Sequence, residues 1–264
     1  MLKLSKRLQT IADCVTPGSR VADIGSDHAL LPVYLLQKGT ASSAIAGELN
    51  EGPYEAARKQ ASDAGMTSRL NVRRGDGLSV LQPGEADTVT IAGMGGSLMS
   101  DILEAGFAAG KLEGVKELVL QPNVGEDLVR GWLLRRDWFL QGETILEEDG
   151  KIYEVLHALK MGDAAELERR NAELYSSSFL PLVLEPEEGR SRLVRMGPYL
   201  LRQQPEAVFE KKWRSELSKL ARIEQQLSQS DQPQSEERRE QFRKEMEAIE
   251  EVLNCLPTVK PSSN

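Results

Sequence analysis

The chain has few of the residues that build disulfide or metal scaffolds, and it lacks long apolar runs. Its 264 residues include 2 cysteines, Cys14 and Cys255, at opposite ends of the sequence, and 2 histidines. This composition argues against a disulfide framework or a zinc site, and no metal is expected. Without an apolar run of about 18 residues, no transmembrane helix is expected. Residues 1–7 lack the apolar core of a signal peptide, so we expect a reducing, cytoplasmic location.

The chain also lacks an excess of positive charge, since 41 acidic residues outnumber 33 basic ones and the formal net charge is −8. An acidic chain argues against a broadly basic surface of the kind that binds nucleic acids. The electrostatic field that attracts a nucleic acid can be local, however, and basic residues occur in four clusters. We interpret each cluster alone as a solvated face. The clusters are Lys3, Lys6 and Arg7; Arg69, Arg73 and Arg74; Arg190, Arg192 and Arg195; and Lys211, Lys212 and Arg214.

Phosphate-binding glycine motifs are absent, because the chain contains neither Gly-x-Gly-x-x-Gly nor a Walker sequence. What it contains is a regular alternation of short β-prone runs and helical segments. This alternation predicts an α/β fold, a doubly wound and mostly parallel sheet, closed by a hairpin that forms an antiparallel edge. The predicted parallel strands cover residues 20–24, 44–49, 70–74, 87–92 and 117–121, and the hairpin covers 138–147 and 151–159.

The sequence pattern changes after residue 160, so we predict domains at 1–160 and 161–264. Residues 205–229 are strongly helical, and after a turn at 228–235 apolar residues recur at heptad spacing. Two such helices predict an antiparallel coiled-coil hairpin. Its function is open between an RNA-gripping or partner-binding arm and a structural appendage. The first helix carries Phe209, Trp213, Leu217, Leu220 and Leu227, and the second carries Phe242, Met246, Ile249, Leu253 and Leu256.

Polar clusters follow each of the five predicted parallel strands. They lie at residues 23–28, 48–50, 76–77, 93–96 and 121–123. In open α/β sheets, ligands bind beyond the carboxyl ends of the strands. We therefore expect the five clusters to form one site.

The residue types of these clusters favour a ligand with ribose and adenine but no phosphate. Asp23 and Gly25 form the first turn, Glu48 suits ribose hydroxyls, and Asp76 suits an exocyclic amino group. A ligand that has ribose, adenine and a cationic amino-acid tail, but no phosphate, is S-adenosylmethionine. Two alternatives remain open: a nicotinamide-dependent oxidoreductase, which would want more glycine at the first turn, and a catalytically silent RNA-binding adaptor.

The strand-end motifs resemble the TrmK family of bacterial tRNA (adenine-22)-N1-methyltransferases over residues 1 to about 160. The segments 4–8 and 145–150 match as well. The motifs that carry the resemblance are Asp23-Ile-Gly-Ser-Asp-His28, Gly47-Glu-Leu-Asn50, Arg74-Gly-Asp-Gly-Leu78, Ile91-Ala-Gly-Met-Gly-Gly96 and Leu120-Gln-Pro-Asn123.

The resemblance implies a class I methyltransferase with a Rossmann-like sheet, S-adenosylmethionine as cofactor and tRNA as partner; a monomer fits the sequence. It assigns catalytic positions to Asp27, Arg7 and Asn123, and substrate contacts to Gln121 and Pro122. It assigns the cofactor to Asp23, Gly25, Ser26, His28, Glu48, Leu49, Asp76, Gly77, Ala92, Gly93 and Met94.

The chemistry of adenine indicates which of its atoms would accept the methyl group. Adenine N1 is an unprotonated lone-pair donor at neutral pH, so its methylation needs alignment more than a strong base. Enzymes that methylate exocyclic amines usually carry Asn-Pro-Pro-Tyr after the fourth strand, where this chain has residues 92–96 with no side-chain amide. That difference favours a ring nitrogen. The adenine would have to be extruded from its stack.

Individual side chains near the first turn have more than one interpretation. Asp27 either accepts a hydrogen bond from adenine N6–H and stabilises the methylated ring, or caps the following helix. We interpret His28 as a positioning group and His157 as structural. The tryptophans Trp132, Trp138 and Trp213 are candidates for base stacking, but core or helix packing explains each better.

Overall fold

The structure is a computed structural model that describes residues 2–203, 207–228 and 233–256. The chain divides into two compact units, Met1–Asn171 and Ala172–Asn264. The division lies within a helix, Ala164–Leu174, somewhat beyond the boundary at residue 160 expected from the sequence. Within the described ranges, every helix is too short or too polar to cross a lipid bilayer.

A seven-stranded sheet with the order β3-β2-β1-β4-β5-β7-β6 forms the centre of the first unit. The strands β1 to β5 pair in parallel, whereas β7 pairs antiparallel with both β5 and β6. This confirms the predicted doubly wound sheet with an antiparallel edge. The strands are β1 Ser19–Ile24, β2 Ala41–Glu48, β3 Leu70–Arg74, β4 Thr88–Met94, β5 Glu117–Pro122, β6 Trp138–Glu148 and β7 Lys151–Lys160.

Helices connect the strands in the order that the alternating pattern predicts. Central strands are buried on both faces, so β1 and β5 are almost entirely buried. The helix after β1 is buried through most of its length and ends at Gly39. The helices of the first unit are α1 Lys6–Cys14, α2 Leu30–Lys38, α3 Glu51–Asp63, α4 Gly96–Ala108, α5 Glu126–Arg135 and α6 Ala164–Leu174, with a 3-10 turn at Gly77–Val80.

Backbone hydrogen bonds join the strand ends at one edge of the sheet. The Gly25 N–H donates to the Gly47 carbonyl at 2.9 Å, and the Gly75 N–H donates to the Glu48 carbonyl at 2.9 Å. Across β4 and β5, the Asn123 N–H donates to the Met94 carbonyl at 2.7 Å. The polar clusters that follow the strands are therefore brought to one edge, as their sequence positions predict.

One of the two interpretations of Asp27, as a helix cap, is wrong. The N-cap of α2 is Ala29, with φ 54° and no side-chain cap. The capping interpretation of Asp27 therefore fails, since its side chain does not reach the free N–H groups of α2.

Buried polar residues of the first unit have structural partners. Arg130 lies between Glu143 and Glu154, and all three side chains are fully buried. His157 Nε2 lies 2.9 Å from Glu117 Oε1, as expected for a structural histidine. Trp132 and Trp138 are 1% and 2% exposed, so both pack in the core rather than offer a stacking surface.

The second unit is helical. Helix α9 packs on α10, with Phe209, Trp213 and Leu220 buried on the first helix, and Ile249 and Val252 on the second. Arginines of α10 pair with Glu224 of α9. A coiled coil stays a prediction here, and residues 205, 206 and 229 of the predicted helix lie outside the described residues. The helices are α7 Pro186–Met196, α8 Pro198–Arg202, α9 Ala207–Leu227 and α10 Pro233–Cys255.

Candidate active site

A cavity of about 360 Å³ opens at the carboxyl ends of β1, β4 and β5. Its volume falls within the range of roughly 300–1,000 Å³ that small-ligand sites occupy. It lies where the strand-end clusters converge. The residues that line it are Arg7, Leu8, Asp23, Gly25, Ser26, Asp27, Ala92, Gly93, Met94, Asn123 and Tyr153.

Asp23 forms the deepest polar group of this cavity and is 4% exposed. Its carboxylate accepts hydrogen bonds from Ser26 Oγ at 2.5 Å and from Thr90 Oγ1 at 2.6 Å. Burial raises the pKa of Asp23, while these two hydrogen bonds and the charge of Arg7 act in the opposite direction. A cation placed against Asp23 would therefore be favoured, because it would relieve the cost of the buried charge. The contact of Thr90 with Asp23 was not predicted from the sequence.

The loop between β1 and α2 has an uncommon backbone. Asp27, His28 and Ala29 all have positive φ values, of 44°, 65° and 54°. Non-glycine residues in this region cost about 1–2 kcal/mol each, and such strain concentrates at functional sites. The loop leaves the Asp27 side chain 83% exposed at the cavity mouth, whereas Asp23 lies below it.

Glu48 lies beside this loop at the end of β2 and is 6% exposed. Its Oε1 atom is buried without a hydrogen-bond partner, although a backbone hydrogen bond from Asp27 reaches the carboxylate. Burial raises the pKa of Glu48, and the neighbouring charges of Asp23 and Asp27 raise it further. A buried acceptor without a partner is costly, so Oε1 is a ready position for a ligand hydroxyl.

Arg7 enters the cavity from the first turn of α1. Its Nη1 donates to Gln121 Oε1 at 2.6 Å, and its guanidinium lies 5.4 Å from the centre of the Tyr153 ring. Leu8 and Tyr153 line the cavity but were not predicted from the sequence. Tyr153 lies in an ordinary β-strand pattern, and only the pairing of β7 with β5 brings that strand to the site.

The ends of β4 and β5 are held together by side-chain amides. Asn123 Nδ2 donates to the Gly93 carbonyl at 2.8 Å, and Gln121 Nε2 lies 3.2 Å from Asn123 Oδ1. Asn123 is exposed at the mouth, while Gln121 and Pro122 are buried. Gln121 therefore meets the cavity through Arg7 and Asn123.

The other predicted residues, like Glu48, Gln121 and Pro122, lie outside the cavity lining. His28 is exposed, with Nε2 3.6 Å from Asp27 Oδ1, and Leu49 is 57% exposed beyond the end of β2. Asp76 is exposed in the loop after β3, and Gly77 begins the 3-10 turn against Ile102. Contacts of these residues with the cofactor remain predictions.

Several of the basic clusters are occupied by acidic partners. Arg73 pairs with Glu85 and Arg74 with Glu51. In the second unit, Arg192 and Arg195 also form ion pairs with glutamates. A larger depression of about 1,020 Å³ lies along the outer edge near β3, but it includes none of the strand-end clusters. Neither feature competes with the cavity as the functional site.

The charges around the cavity select among ligands. Asp23, Asp27 and Glu48 are three carboxylates at one end of the sheet, and Arg7 supplies a positive charge to the cavity lining. Such a set repels the pyrophosphate of a dinucleotide and attracts a cation with hydroxyl donors. S-adenosylmethionine fits on both counts, since Glu48 Oε1 needs a donor and Asp23 a cation.

Comparisons with known proteins agree with this geometry. The family model of TrmK, tRNA (adenine(22)-N(1))-methyltransferase, matches residues 21–251. A tRNA (adenine(22)-N(1))-methyltransferase of Bacillus subtilis is 43% identical over 254 residues, which cover 96% of this chain and 98% of that protein.

Solved structures show the same similarity in three dimensions. The crystal structure of the B. subtilis M1A22 tRNA methyltransferase TrmK matches with a TM-score of 0.82 and 44% identity, over 96% of this chain and 100% of that one. A putative tRNA (m1A22) methyltransferase of Streptococcus pneumoniae, in complex with S-adenosyl-L-methionine, matches with a TM-score of 0.75 and 36% identity, over 95% and 100%. Because sequence, family model and fold agree over nearly the whole chain, this protein belongs to the TrmK family of tRNA (adenine(22)-N(1))-methyltransferases.

Proposed function

We propose that this protein transfers the methyl group of S-adenosylmethionine to N1 of adenine 22 in tRNA, using the cavity at the carboxyl ends of β1, β4 and β5. The observation that carries the proposal is the difference in exposure among the three carboxylates at this edge of the sheet, of which Asp23 and Asp27 line the cavity and Glu48 lies beside it. Asp23 and Glu48 are buried, while the Asp27 side chain is 83% exposed at the mouth. The buried carboxylates would contact the cationic cofactor, and the exposed Asp27 would contact the adenine that enters from solvent.

For the cofactor, the chain supplies hydrogen-bond acceptors and a stretch of backbone that the ligand can approach closely. Glu48 Oε1 accepts from a ribose hydroxyl, which gives this buried atom the partner it lacks. Asp23, held by Ser26 and Thr90, provides negative charge for the amino-acid tail. Gly25, with φ 70°, lets the ligand approach the backbone beside Met94. When bound, S-adenosylmethionine supplies an electrophilic sulfonium methyl.

On the substrate side, the chain aligns the base and offsets the charge that forms on it. Asp27 accepts from adenine N6–H and faces the ring that becomes cationic on N1 methylation. Asn123 is fixed by Gly93 and Gln121 and offers a rigid edge at the mouth. No strong base is required, because N1 carries a free lone pair and alignment lowers the barrier.

Arg7 has a different role from Asp27. A guanidinium beside the methylated ring would repel the positive charge of the product. Arg7 instead suits a phosphate of the target nucleotide, because its planar donors match phosphate oxygens. A tRNA substrate also implies action in the cytoplasm, as the sequence leads us to expect.

The proposal is tested by methyl transfer from labelled S-adenosylmethionine to an unmodified tRNA transcript. The matched control transcript has guanine in place of adenine 22. We expect label on the first transcript and none on the second. We expect Asp27→Asn to lower kcat while leaving cofactor affinity within about twofold, since Asp27 faces the base. Equal labelling of both transcripts would contradict the proposed target.

A further inference from the structure

We infer that Glu148 is a positioning residue for methyl transfer, which fixes the first turn of α1 so that Arg7 enters the cavity in one orientation. The inference rests on the proposed function, in which Arg7 contacts the target nucleotide. Glu148 itself does not line the cavity.

Glu148, the last residue of the edge strand β6, binds the start of α1. Its carboxylate accepts the backbone N–H of Arg7 at 3.1 Å and the backbone N–H of Lys6. The Ser5 side chain adds a hydrogen bond to the same carboxylate and also accepts from the Leu8 N–H as the N-cap of α1. A helix start has N–H groups without intrahelical partners and a partial positive charge, so a carboxylate there stabilises the first turn.

That first turn carries the cavity residues. Arg7 and Leu8 line the cavity, whereas the buried residues that anchor α1, Ile11 and Ala12, lie one turn further along. Without Glu148 the second half of α1 would stay packed, but the turn that bears Arg7 would lose the acceptor of its Lys6 and Arg7 N–H groups. Fraying of that turn would displace the guanidinium from its 2.6 Å hydrogen bond with Gln121.

One hairpin provides both the anchor and the wall of the cavity. Glu148 ends β6 and pairs with Lys151 at the start of β7, and Tyr153 lies two residues further on β7. The Tyr153 ring stands 5.4 Å from the Arg7 guanidinium. Arg7 is therefore held by its backbone at Glu148, by its side chain at Gln121 and by the ring of Tyr153.

The test uses Glu148→Gln, with Asp149→Asn as the matched control. Asp149 is the adjacent exposed acid in the hairpin turn, with φ 51°, and asparagine tolerates that conformation. Glutamine keeps the shape of Glu148 but replaces one acceptor oxygen with a donor, so it cannot accept the Lys6 and Arg7 N–H groups on two separate oxygens as Glu148 does. Both substitutions remove one negative charge.

The kinetic readout is a double-mutant cycle with Arg7→Ala. We expect Glu148→Gln to lower kcat/KM for tRNA by about ten- to a hundredfold, because small misplacements of aligning groups are costly, and to leave S-adenosylmethionine affinity within about twofold. In the Arg7→Ala background, Glu148→Gln should cause no further loss, since Glu148 acts through Arg7. Independent, multiplying losses would overturn the inference in favour of a general structural role.

A second readout does not depend on activity. Hydrogen exchange measured by mass spectrometry should show faster exchange of the α1 first turn in Glu148→Gln than in Asp149→Asn. Equal exchange in the two variants would overturn the inference. If the wild type transferred no methyl group to adenine 22, the proposed function would fail instead, and the exchange result would still decide whether Glu148 holds the turn.

Discussion

The substitution Gly25→Ala tests the first turn of the site most sharply. Gly25 has φ 70°, and an added Cβ would lie 2.5 Å from Met94 Cε. The left-handed conformation costs an alanine about 1–2 kcal/mol. The contact with Met94 adds a second effect, because the methyl end of that flexible side chain must move, and Met94 lines the cavity.

Gly39→Ala provides a control that separates the two effects. Gly39 has φ 76°, but an added Cβ there meets nothing within 4 Å. Both variants should lose about 1–2 kcal/mol of stability from the backbone conformation alone. For a domain of 150–250 residues, this corresponds to a fall in Tm of roughly 2–8 °C, at about 2–4 °C per kcal/mol.

The assay is calorimetric titration of S-adenosylmethionine, with thermal unfolding measured on the same samples. We expect Gly25→Ala to weaken cofactor binding by at least about tenfold, which corresponds to about 1.4 kcal/mol, and Gly39→Ala to leave it unchanged. Equal cofactor affinities in the two variants would refute the placement of the cofactor at the Gly25 backbone beside Met94.

Three further predictions concern the buried charges. Glu48→Gln should weaken cofactor binding about tenfold, yet raise the Tm of the cofactor-free protein at pH 7. Because burial raises the pKa of Glu48, the wild type loses stability as pH rises above the ordinary value of 4.5; the gain in Tm should therefore vanish below that pH, and a pH-independent gain would contradict this cause. Thr90→Val should destabilise the cofactor-free protein by roughly 1–3 kcal/mol in denaturant unfolding, because it leaves the buried Asp23 carboxylate with one hydrogen bond fewer; unchanged stability would argue against that hydrogen bond. Arg130→Met should destabilise the protein by about 3–5 kcal/mol in denaturant unfolding, because it removes the buried positive charge that pairs with Glu143 and Glu154; a loss below about 1 kcal/mol would count against that pairing.

The parts of the site that lie at strand ends could be predicted from the sequence. Apolar runs that stop at polar residues predicted which edge of the sheet carries Asp23, Asn123 and the turn at Gly93. The antiparallel edge followed equally from the two apolar runs around the Asp149-Gly150 turn. These features are local, so the pattern of one segment is enough to predict them.

Features of the site that depend on contacts between distant segments could not be predicted from the sequence. Thr90 reaches Asp23 only through the parallel register of β4 against β1, and Tyr153 reaches the cavity only through the pairing of β7. The segments 4–8 and 145–150 were both matched to the family, but their pairing through Glu148 was not apparent. The positive φ values at Asp27 and His28 are uncommon for non-glycine residues, and although Asp and His adopt them more often than most, the residue types alone do not predict them.

Methyl transfer to a ring nitrogen of one adenine is tested most directly by nucleoside mass spectrometry. Unmodified tRNA is treated with the protein and S-adenosylmethionine, digested, and compared with standards of 1-methyladenosine and N6-methyladenosine. We predict 1-methyladenosine, localised to position 22 by sequencing of the digested fragments. N6-methyladenosine, or 1-methyladenosine at another position, would contradict the account.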